Sequence, residues 1–254
     1  MITPTVLMWH AFGDREDTTD PYRLFVPEKV FAQQLDLLAE RGSHFLELEE
    51  FMAGLETGRW RPRSVLITID DGYVSTLDVA APLLAARAVP AVAFVLAGRL
   101  GGSSDWMHEM STEPLLGADG LVELERHGVR VESHGWDHRL LRGLSPPELH
   151  RQVATSRTAL SDVLGREPVA FAYPSGAHDL PARRAVKEAG YRCAFSVHHC
   201  TKDRFALRRV DINPTDTKLT FRLKVTRLWP AIYQTLGRVG PIRRGVHRLF
   251  GSNR

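Results

Sequence analysis

The sequence predicts an α/β domain in which a mainly parallel sheet or barrel is covered by helices. Short apolar, β-branched runs alternate with longer helical patterns, as they do in chains built from βαβ units. The length of 254 residues and the hydrophobic content of 43% suit one core of ordinary size. The predicted strands are TVLMW from Thr5, SVLITI from Ser64, PAVAFVL from Pro90, VRVES from Val129, PVAFAYP from Pro168 and RCAFSV from Arg192.

Helical patterns fill the intervals between these strands. Residues 27–41 place their apolar side chains near one face, and residues 76–87 continue the chain as a helix after Gly72. Two later helices have clear starting signals. Ser145 is a predicted N-cap followed by two prolines and Glu148, and Asp179 precedes another such start. The alternation of strands and helices therefore extends over most of the chain.

Cysteine usage and hydropathy exclude several classes of protein. Cys193 and Cys200 are the two cysteines, and their spacing fits neither a paired metal motif nor a disulfide framework. The apolar stretch near the N-terminus is too short for a secretory signal. No run of about 18 apolar residues occurs that could span a membrane. We therefore expect a cytoplasmic protein.

The composition changes after Asp216. Residues 218–254 contain nine Lys or Arg side chains and no Asp or Glu, interspersed with large apolar side chains. Two interpretations remain open for this basic amphipathic pattern. The segment lies on an anionic membrane surface or an acidic partner, or it is a terminal helix packed on the domain with a solvated Arg face. We divide the chain into a catalytic domain, residues 1–216, and a basic C-terminal segment, residues 217–254.

Two motifs at predicted strand ends combine into a candidate metal site. Asp70 and Asp71 follow the strand SVLITI directly, although this pair alone is equally compatible with a polar turn. His134 and His138, four residues apart after VRVES, fall on one side of a helical or turn-like backbone. Two neutral imidazoles and one carboxylate suit zinc or a similar divalent ion, with further positions open to water and substrate.

These motifs resemble those of the polysaccharide deacetylases, the carbohydrate esterase family with a NodB-like domain. TIDDG at residues 68–72 is similar to the family's TFDDG, and SHGWDH at residues 133–138 is similar to its second motif. The resemblance extends over residues 4–213 and implies a distorted, incomplete (β/α) barrel. It implies that Asp70 is the general base and that the metal ligands are Asp71, His134 and His138. The implied metal is Zn²⁺, with Co²⁺, Ni²⁺ or Fe²⁺ as alternatives.

The segment FAYPSG at residues 171–176 departs from the family pattern. Ala172 stands where many members have the Arg that orients the base. We expect Arg209, or alternatively Arg208, to replace it, because LRRVDI at residues 207–212 resembles a later family segment; a surface Arg pair is the competing interpretation. The remaining residues predicted to form the substrate and oxyanion site are Tyr173, walling the acetyl pocket, Ser175, donating its backbone N–H, and Trp136.

His10 ends the first predicted strand, in the segment LMWHAF. Most members of the family carry the general acid in a late L-x-H motif, which does not follow Ile212 here, and His247 lies in the basic segment without a strand pattern. A circularly permuted subgroup places this His at the start of the domain. We therefore predict that His10 is the general acid, with a buried core histidine as the alternative.

The implied activity is hydrolysis of an N-acetyl group on an amino sugar that is small, nucleotide-linked, lipid-linked or part of a natural-product glycan. One alternative is a deformylase or amidohydrolase acting on a non-sugar amide. Another is a non-catalytic carbohydrate-binding pseudoenzyme. The expected partners are the N-acetylated substrate and, through the basic segment, an anionic membrane surface at the periphery; no nucleic acid is expected.

Overall fold

The computed structural model describes residues 4–16, 19–107, 112–197, 203–226 and 229. Its strands are β1 Thr5–Trp9, β2 Ala11–Phe12, β3 Phe25–Val26, β4 His44–Phe45, β5 Ser64–Ile69, β6 Ala91–Val95, β7 Val129–Ser133, β8 Ala170–Ala172, β9 Cys193–Ser196, β10 Leu207–Arg208 and β11 Val210–Asp211. Its helices are α1 Glu28–Glu40, α2 Leu48–Thr57, α3 Ala81–Ala85, α4 Ala118–Arg126, α5 Pro146–His150, α6 Ser156–Leu164, α7 Leu180–Glu188 and α8 Lys218–Lys224.

Nine strands form one sheet in which every pairing is parallel. The strand order is β10-β9-β8-β7-β6-β5-β1-β11, and β4 pairs with the start of β5. The two edge strands, β10 and β11, are separated in the chain by Arg209 alone. The sheet must therefore curl until its edges nearly meet. The prediction of an incomplete (β/α) barrel is confirmed.

The side chains of each strand alternate between two apolar clusters. Leu7, Ile67 and their neighbours face α1, α3, α4 and α6 on the outside of the barrel. Val6, Leu66 and Phe94 face the inside, where Phe51 and other residues of α2 cover the opening at the amino ends of the strands. Because α2 fills that end, the barrel is open to ligands at the carboxyl ends of its strands.

Each of the six predicted strands contains an observed one, and the predicted helix starts also form. The Ser145 backbone N–H and hydroxyl both donate to Glu148 Oε2, at 2.9 and 2.7 Å. Asp179 accepts a hydrogen bond from Ala182 N at 2.9 Å. Helices α2 and α4 and the two-residue strands were not predicted, because short elements leave little periodicity in the sequence.

Helix α8 packs on the barrel domain beyond the predicted boundary at Asp216. Phe221, Val225 and Trp229 belong to the same buried cluster as the apolar face of α1. Lys224 is buried and pairs with Asp216 at 2.7 Å. This part of the C-terminal segment is a packed helix, whereas residues 230–254 lie outside the described residues. Within the described ranges, no helix combines the length and the apolar character that crossing a membrane requires.

Candidate active site

The candidate residues come together because parallel strands end at the same edge of the barrel. His10 follows β1, Asp70 and Asp71 follow β5, and His134 follows β7. They line a pocket of about 330 Å³, together with His138, Ser175, Arg209 and the carboxylate-bearing Asp211. Residues far apart in the sequence thus share one cavity.

Asp70 and Arg209 form a buried, bidentate ion pair. Arg209 Nη1 donates to Asp70 Oδ1 and Nη2 donates to Oδ2, each at 2.6 Å. Burial would raise the pKa of Asp70, but the charges of Arg209, His134 and His10 lower it to about 2. The carboxylate is therefore ionised at neutral pH, and both of its oxygens have fixed positions.

Arg209 takes the place left open by Ala172. Its guanidinium lies 5.5 Å from the Phe94 ring, and the small Ala172 side chain faces the same inner cluster as Phe94. An Arg at position 172 would compete for this space. The residue that pairs with Asp70 through both carboxylate oxygens is therefore Arg209 rather than the alternative Arg208.

Asp71, His134 and His138 bring three potential ligand atoms together. Asp71 Oδ1 lies 3.4 Å from His134 Nε2 and 3.5 Å from His138 Nε2. Potential ligand atoms of all three residues lie within 4.8 Å of one another. Asp71, the second residue after β5, adopts a φ of 73°, a left-handed conformation that is unfavourable for most non-glycine residues. That backbone turn directs Asp70 and Asp71 to different partners.

The two imidazoles are held by different means. His134 Nδ1 lies 2.8 Å from the carbonyl oxygen of Ala172, which fixes the ring and leaves Nε2 toward Asp71. His138 ends a tight turn with a φ of 66° rather than a helix. Gln152 braces that turn, because its Oε1 accepts from Trp136 N at 3.0 Å and its Nε2 donates to Asp137 at 2.5 Å. Both rings consequently face one point.

This cluster fits a divalent metal ion. Asp71 Oδ1 is buried and has no hydrogen-bond donor, an arrangement that costs free energy unless a cation supplies the missing partner. Burial, with the neighbouring His134 and His10, lowers the pKa of His138 to about 4 against the opposing effect of Asp71. A neutral imidazole is the form that binds metal. Two nitrogens and one oxygen suit zinc with an open position.

His10 lines the pocket beside Asp70 rather than lying in the core. β1 and β5 pair in register from Thr5↔Val65 to Trp9↔Ile69, and Asp70 N donates to the carbonyl oxygen of Trp9 at 2.9 Å. His10 and Asp70 are therefore adjacent across two strand ends. The position disfavours the core-histidine alternative, and the role of His10 as an acid stays a prediction.

Ser175 lines the pocket and, with a φ of 53°, occupies a tight left-handed turn. Tyr173 and Trp136 are not among the residues that line this pocket, in contrast to the positions predicted for them. Tyr173 is fully buried on the outer side of β8 against Phe171, and its hydroxyl donates to the carbonyl oxygen of Phe205 at 3.0 Å. Alternation along β8 forces this direction, because Ala172 faces inward and Tyr173 must face outward. Trp136 instead packs over Gly98.

The apolar wall of the pocket was not predicted from the sequence. Tyr22 and Leu24 come from one loop, and Trp106 and Met107 come from another. Arg15 and Glu113 join these two loops through an ion pair of 2.8 Å. The one signal in the sequence is the presence of large side chains in otherwise polar loops, and that signal is weak because loops often carry single exposed apolar residues.

Trp106 also stacks on the candidate ligand His138. The ring centroids are 5.0 Å apart and the planes differ by 18°. We predict that Trp106→Ala weakens zinc affinity by about 10-fold or more, because groups that orient a ligand contribute on that scale. Chelator competition measures the dissociation constant. The Trp106→Phe variant, which keeps an aromatic ring, should retain most of the wild-type zinc affinity. Trp60→Ala, at a position remote from the pocket, is the control. Equal zinc affinities for all three variants would contradict a positioning role for Trp106.

The chain thus belongs to the class of incomplete parallel α/β barrels that carry a potential metal-binding cluster at the carboxyl ends of their strands. The family model for polysaccharide deacetylases matches residues 57–194, more than half of the chain, and the protein belongs to this family. The matched residues include Asp70, Asp71, His134 and His138. The matched range begins after His10. The assignment of His10 as the family's general acid, moved to the start of the domain by circular permutation, therefore stays a prediction.

Two curated proteins illustrate the relationship. The first is YxkH of Bacillus subtilis (strain 168), which carries the name of a polysaccharide deacetylase. It is 26% identical over 215 residues, which cover 82% of this chain and 71% of that protein. A poly-β-1,6-N-acetyl-D-glucosamine N-deacetylase of Staphylococcus epidermidis is 28% identical over 181 residues, 68% of this chain. This chain spans 61% of the length of the staphylococcal protein.

Solved structures share the fold. The Streptococcus pyogenes deacetylase PplD, in complex with acetate, aligns with a TM-score of 0.78 and 22% identity, covering 89% of this chain and 99% of that one. IcaB from Ammonifex degensii aligns with a TM-score of 0.74 and 23% identity, covering 89% of this chain and 96% of that one. At these identities the likeness establishes the barrel architecture.

Proposed function

We propose that this protein is a metal-dependent N-deacetylase that hydrolyses the acetamido group of an amino sugar. The observation that carries the proposal is the juxtaposition of the Arg209-held carboxylate of Asp70 with the Asp71–His134–His138 cluster in one pocket. Membership of the polysaccharide deacetylase family supports it. The name of the staphylococcal relative gives the chemical precedent of N-deacetylation of N-acetylglucosamine.

Asp70 is the general base in this proposal. Its pKa of about 2 keeps it ionised, so it is able to accept a proton from the attacking water. Arg209 donates to both carboxylate oxygens and fixes the direction in which a free lone pair points. The low pKa makes Asp70 a weak base toward ordinary water. A divalent cation bound by Asp71, His134 and His138 would act as a Lewis acid toward the acetyl carbonyl and lower the pKa of water there.

The later steps involve two residues on the other strand ends. An amine is a poor leaving group until it is protonated, and His10, which lines the same pocket, is the proposed proton donor. The backbone N–H of Ser175 is the proposed hydrogen-bond donor to the oxyanion, in a turn that also lines the pocket. The result is acetate and a free amino sugar.

The completeness of the site favours an enzyme over a carbohydrate-binding pseudoenzyme. The four residues Asp70, Asp71, His134 and His138 are buried or nearly so and are held by specific contacts. A buried carboxylate oxygen without a donor is destabilising, and a binding module would gain nothing by keeping it. The pocket volume of about 330 Å³ lies at the lower end of the range for small-ligand sites, which suits one sugar unit.

Acetate release tests the proposal. The zinc-loaded protein is incubated with N-acetylated sugars in free, nucleotide-linked, lipid-linked and oligomeric form, and acetate is measured by a coupled assay. We expect release from at least one class, lost in the His138→Ala protein. N-formyl and non-sugar amides run in parallel would identify a deformylase or amidohydrolase instead. A zinc-loaded, folded protein that binds these sugars and releases no acetate would contradict the proposal in favour of a binding module.

A further inference from the structure

The outer face of α8 carries an exposed apolar pair flanked by basic side chains. Leu219 and Leu223 are 68% and 39% exposed, and they lie one helical turn apart. Lys218 and Arg222 are exposed on the same short helix. Leu residues of this size lose free energy by facing water. We call these four residues the α8 face.

Contacts on the inner side of α8 fix this orientation. Lys224 Nζ donates to Asp216 Oδ2 at 2.7 Å and to the carbonyl oxygen of Asp211 at 2.8 Å. Arg41 donates to the carbonyl oxygen of Val225 at 2.6 Å. Rotating α8 to bury its two leucines would expose Phe221 and separate a buried ion pair, which is strongly unfavourable. The α8 face therefore stays directed away from the domain.

Basic charge is concentrated in the stretch that starts at α8. Nine of the 33 Lys and Arg residues of the chain fall within residues 218–254, whereas all 30 acidic residues precede that stretch. Residues 1–217 thus carry more acidic than basic groups, whereas the charged residues of 218–254, which include α8, are all basic. A surface of negative charge would therefore attract residues 218–254 and repel the preceding part of the chain.

We propose that the α8 face seats the protein on an anionic lipid bilayer. Lys218 and Arg222 supply attraction to phosphate headgroups, which the basic composition of residues 218–254 strengthens. The two leucines supply insertion at the boundary with the acyl chains. An anionic polymer would satisfy the charges but would leave Leu219 and Leu223 in water. The exposed apolar pair is the observation that favours a bilayer over a polymer.

The position of α8 relates this surface to the pocket. Asp211 lines the pocket at the end of β11, and one turn at residues 213–217 leads from that strand into α8. The N-terminal turn of α8, with Lys218 and Leu219, consequently follows the barrel end at which the pocket opens. A protein seated through this helix would bring its pocket near the lipid headgroups. The binding itself does not depend on the proposed deacetylase function.

Vesicle sedimentation of the full chain tests the proposal. Binding is measured on phosphatidylcholine vesicles with and without phosphatidylglycerol, at low and high salt. We expect binding to the anionic vesicles only, weakened by salt because exposed charges are screened. The double variant Leu219→Ser/Leu223→Ser should bind at least about 10-fold more weakly. Leu180→Ser, on α7 and 59% exposed in the wild type, is the matched control and should bind normally.

Two outcomes would overturn the proposal. Unchanged vesicle binding by the double leucine variant would show that no apolar insertion takes place. The second outcome concerns soluble polyphosphate. If it bound the wild type and the double leucine variant with equal affinity, and as tightly as the vesicles do, the surface would be one for anionic polymers instead. An unaltered melting temperature and retained zinc affinity establish that the double variant is folded, so loss of vesicle binding by that variant supports the proposal.

Discussion

Asp70→Asn is expected to lower turnover by about 10²- to 10⁴-fold while zinc affinity stays nearly unchanged, the range usual for loss of a positioned base. Asn has the same shape but no proton-accepting charge, and Arg209 still donates to one amide oxygen. The candidate ligand atoms belong to Asp71, His134 and His138, which the change leaves in place. Acetate release and zinc calorimetry on the same preparation give the two readouts.

Asp71→Asn is the matched comparison, because the two carboxylates are neighbours in the chain with separate partners. This variant should lose zinc affinity and turnover together. The comparison is needed because Asp70 also lies close to the cluster, with its Oδ2 3.9 Å from His134 Nε2. If Asp70→Asn lost zinc as strongly as Asp71→Asn does, Asp70 would be a ligand and the assignment of the base would be wrong.

His10→Ala is expected to retain its fold and zinc and to lose about 10²- to 10⁴-fold in turnover on acetylated amino sugars. The loss should be smaller on an activated acetate ester, because a phenolate departs without needing a proton. His10 lines the pocket at the end of β1, where its removal opens space to solvent rather than a core cavity. The ratio of amide to ester turnover, measured beside the melting temperature, reports the role of the imidazole.

A structural histidine would give the opposite pattern. Its removal would leave an unpaired partner and a cavity, lower the melting temperature, and affect both substrates alike. His44→Ala provides a control, since His44 is a surface residue paired with Glu50 at 2.7 Å and is remote from the pocket. An unchanged amide-to-ester ratio with a lowered melting temperature in His10→Ala would return that residue to a structural role.

The fold and the polar half of the pocket were predictable because they depend on local signals. β5 is a run of six buried residues followed directly by two carboxylates, so the sequence marks both a central strand and the position of its end. Parallel strands end at one edge, and His10, Asp70 and His134 therefore had to converge once the strands were assigned. Arg209 could be predicted as the partner of Asp70 only because the segment at residues 207–212 resembles a later segment of the family. Its distance from Asp70 in the sequence carries no such information.

The apolar half of the pocket could not be predicted in the same way. Trp106 reaches His138 by stacking between two loops, and nothing in its neighbouring residues specifies that contact. The outward direction of Tyr173 could not be predicted, because the exact end of the three-residue strand β8 decides on which side of the sheet this side chain lies. Short strands give little periodicity, and a shift of one residue reverses every side chain.

Arg209 is the single residue between β10 and β11, so it joins the two edges of the barrel as well as holding Asp70. Its N–H donates to the carbonyl oxygen of Ser196 on one edge, and Ile212 N donates to that of Met8 on the other, at 3.0 and 2.9 Å. The Arg209–Asp70 pair therefore requires both edge strands to be in place. A partly folded molecule in which β10 and β11 have not yet paired with their neighbouring strands would lack the guanidinium that orients Asp70. We expect turnover to return during refolding no earlier than the pairing of these two edge strands.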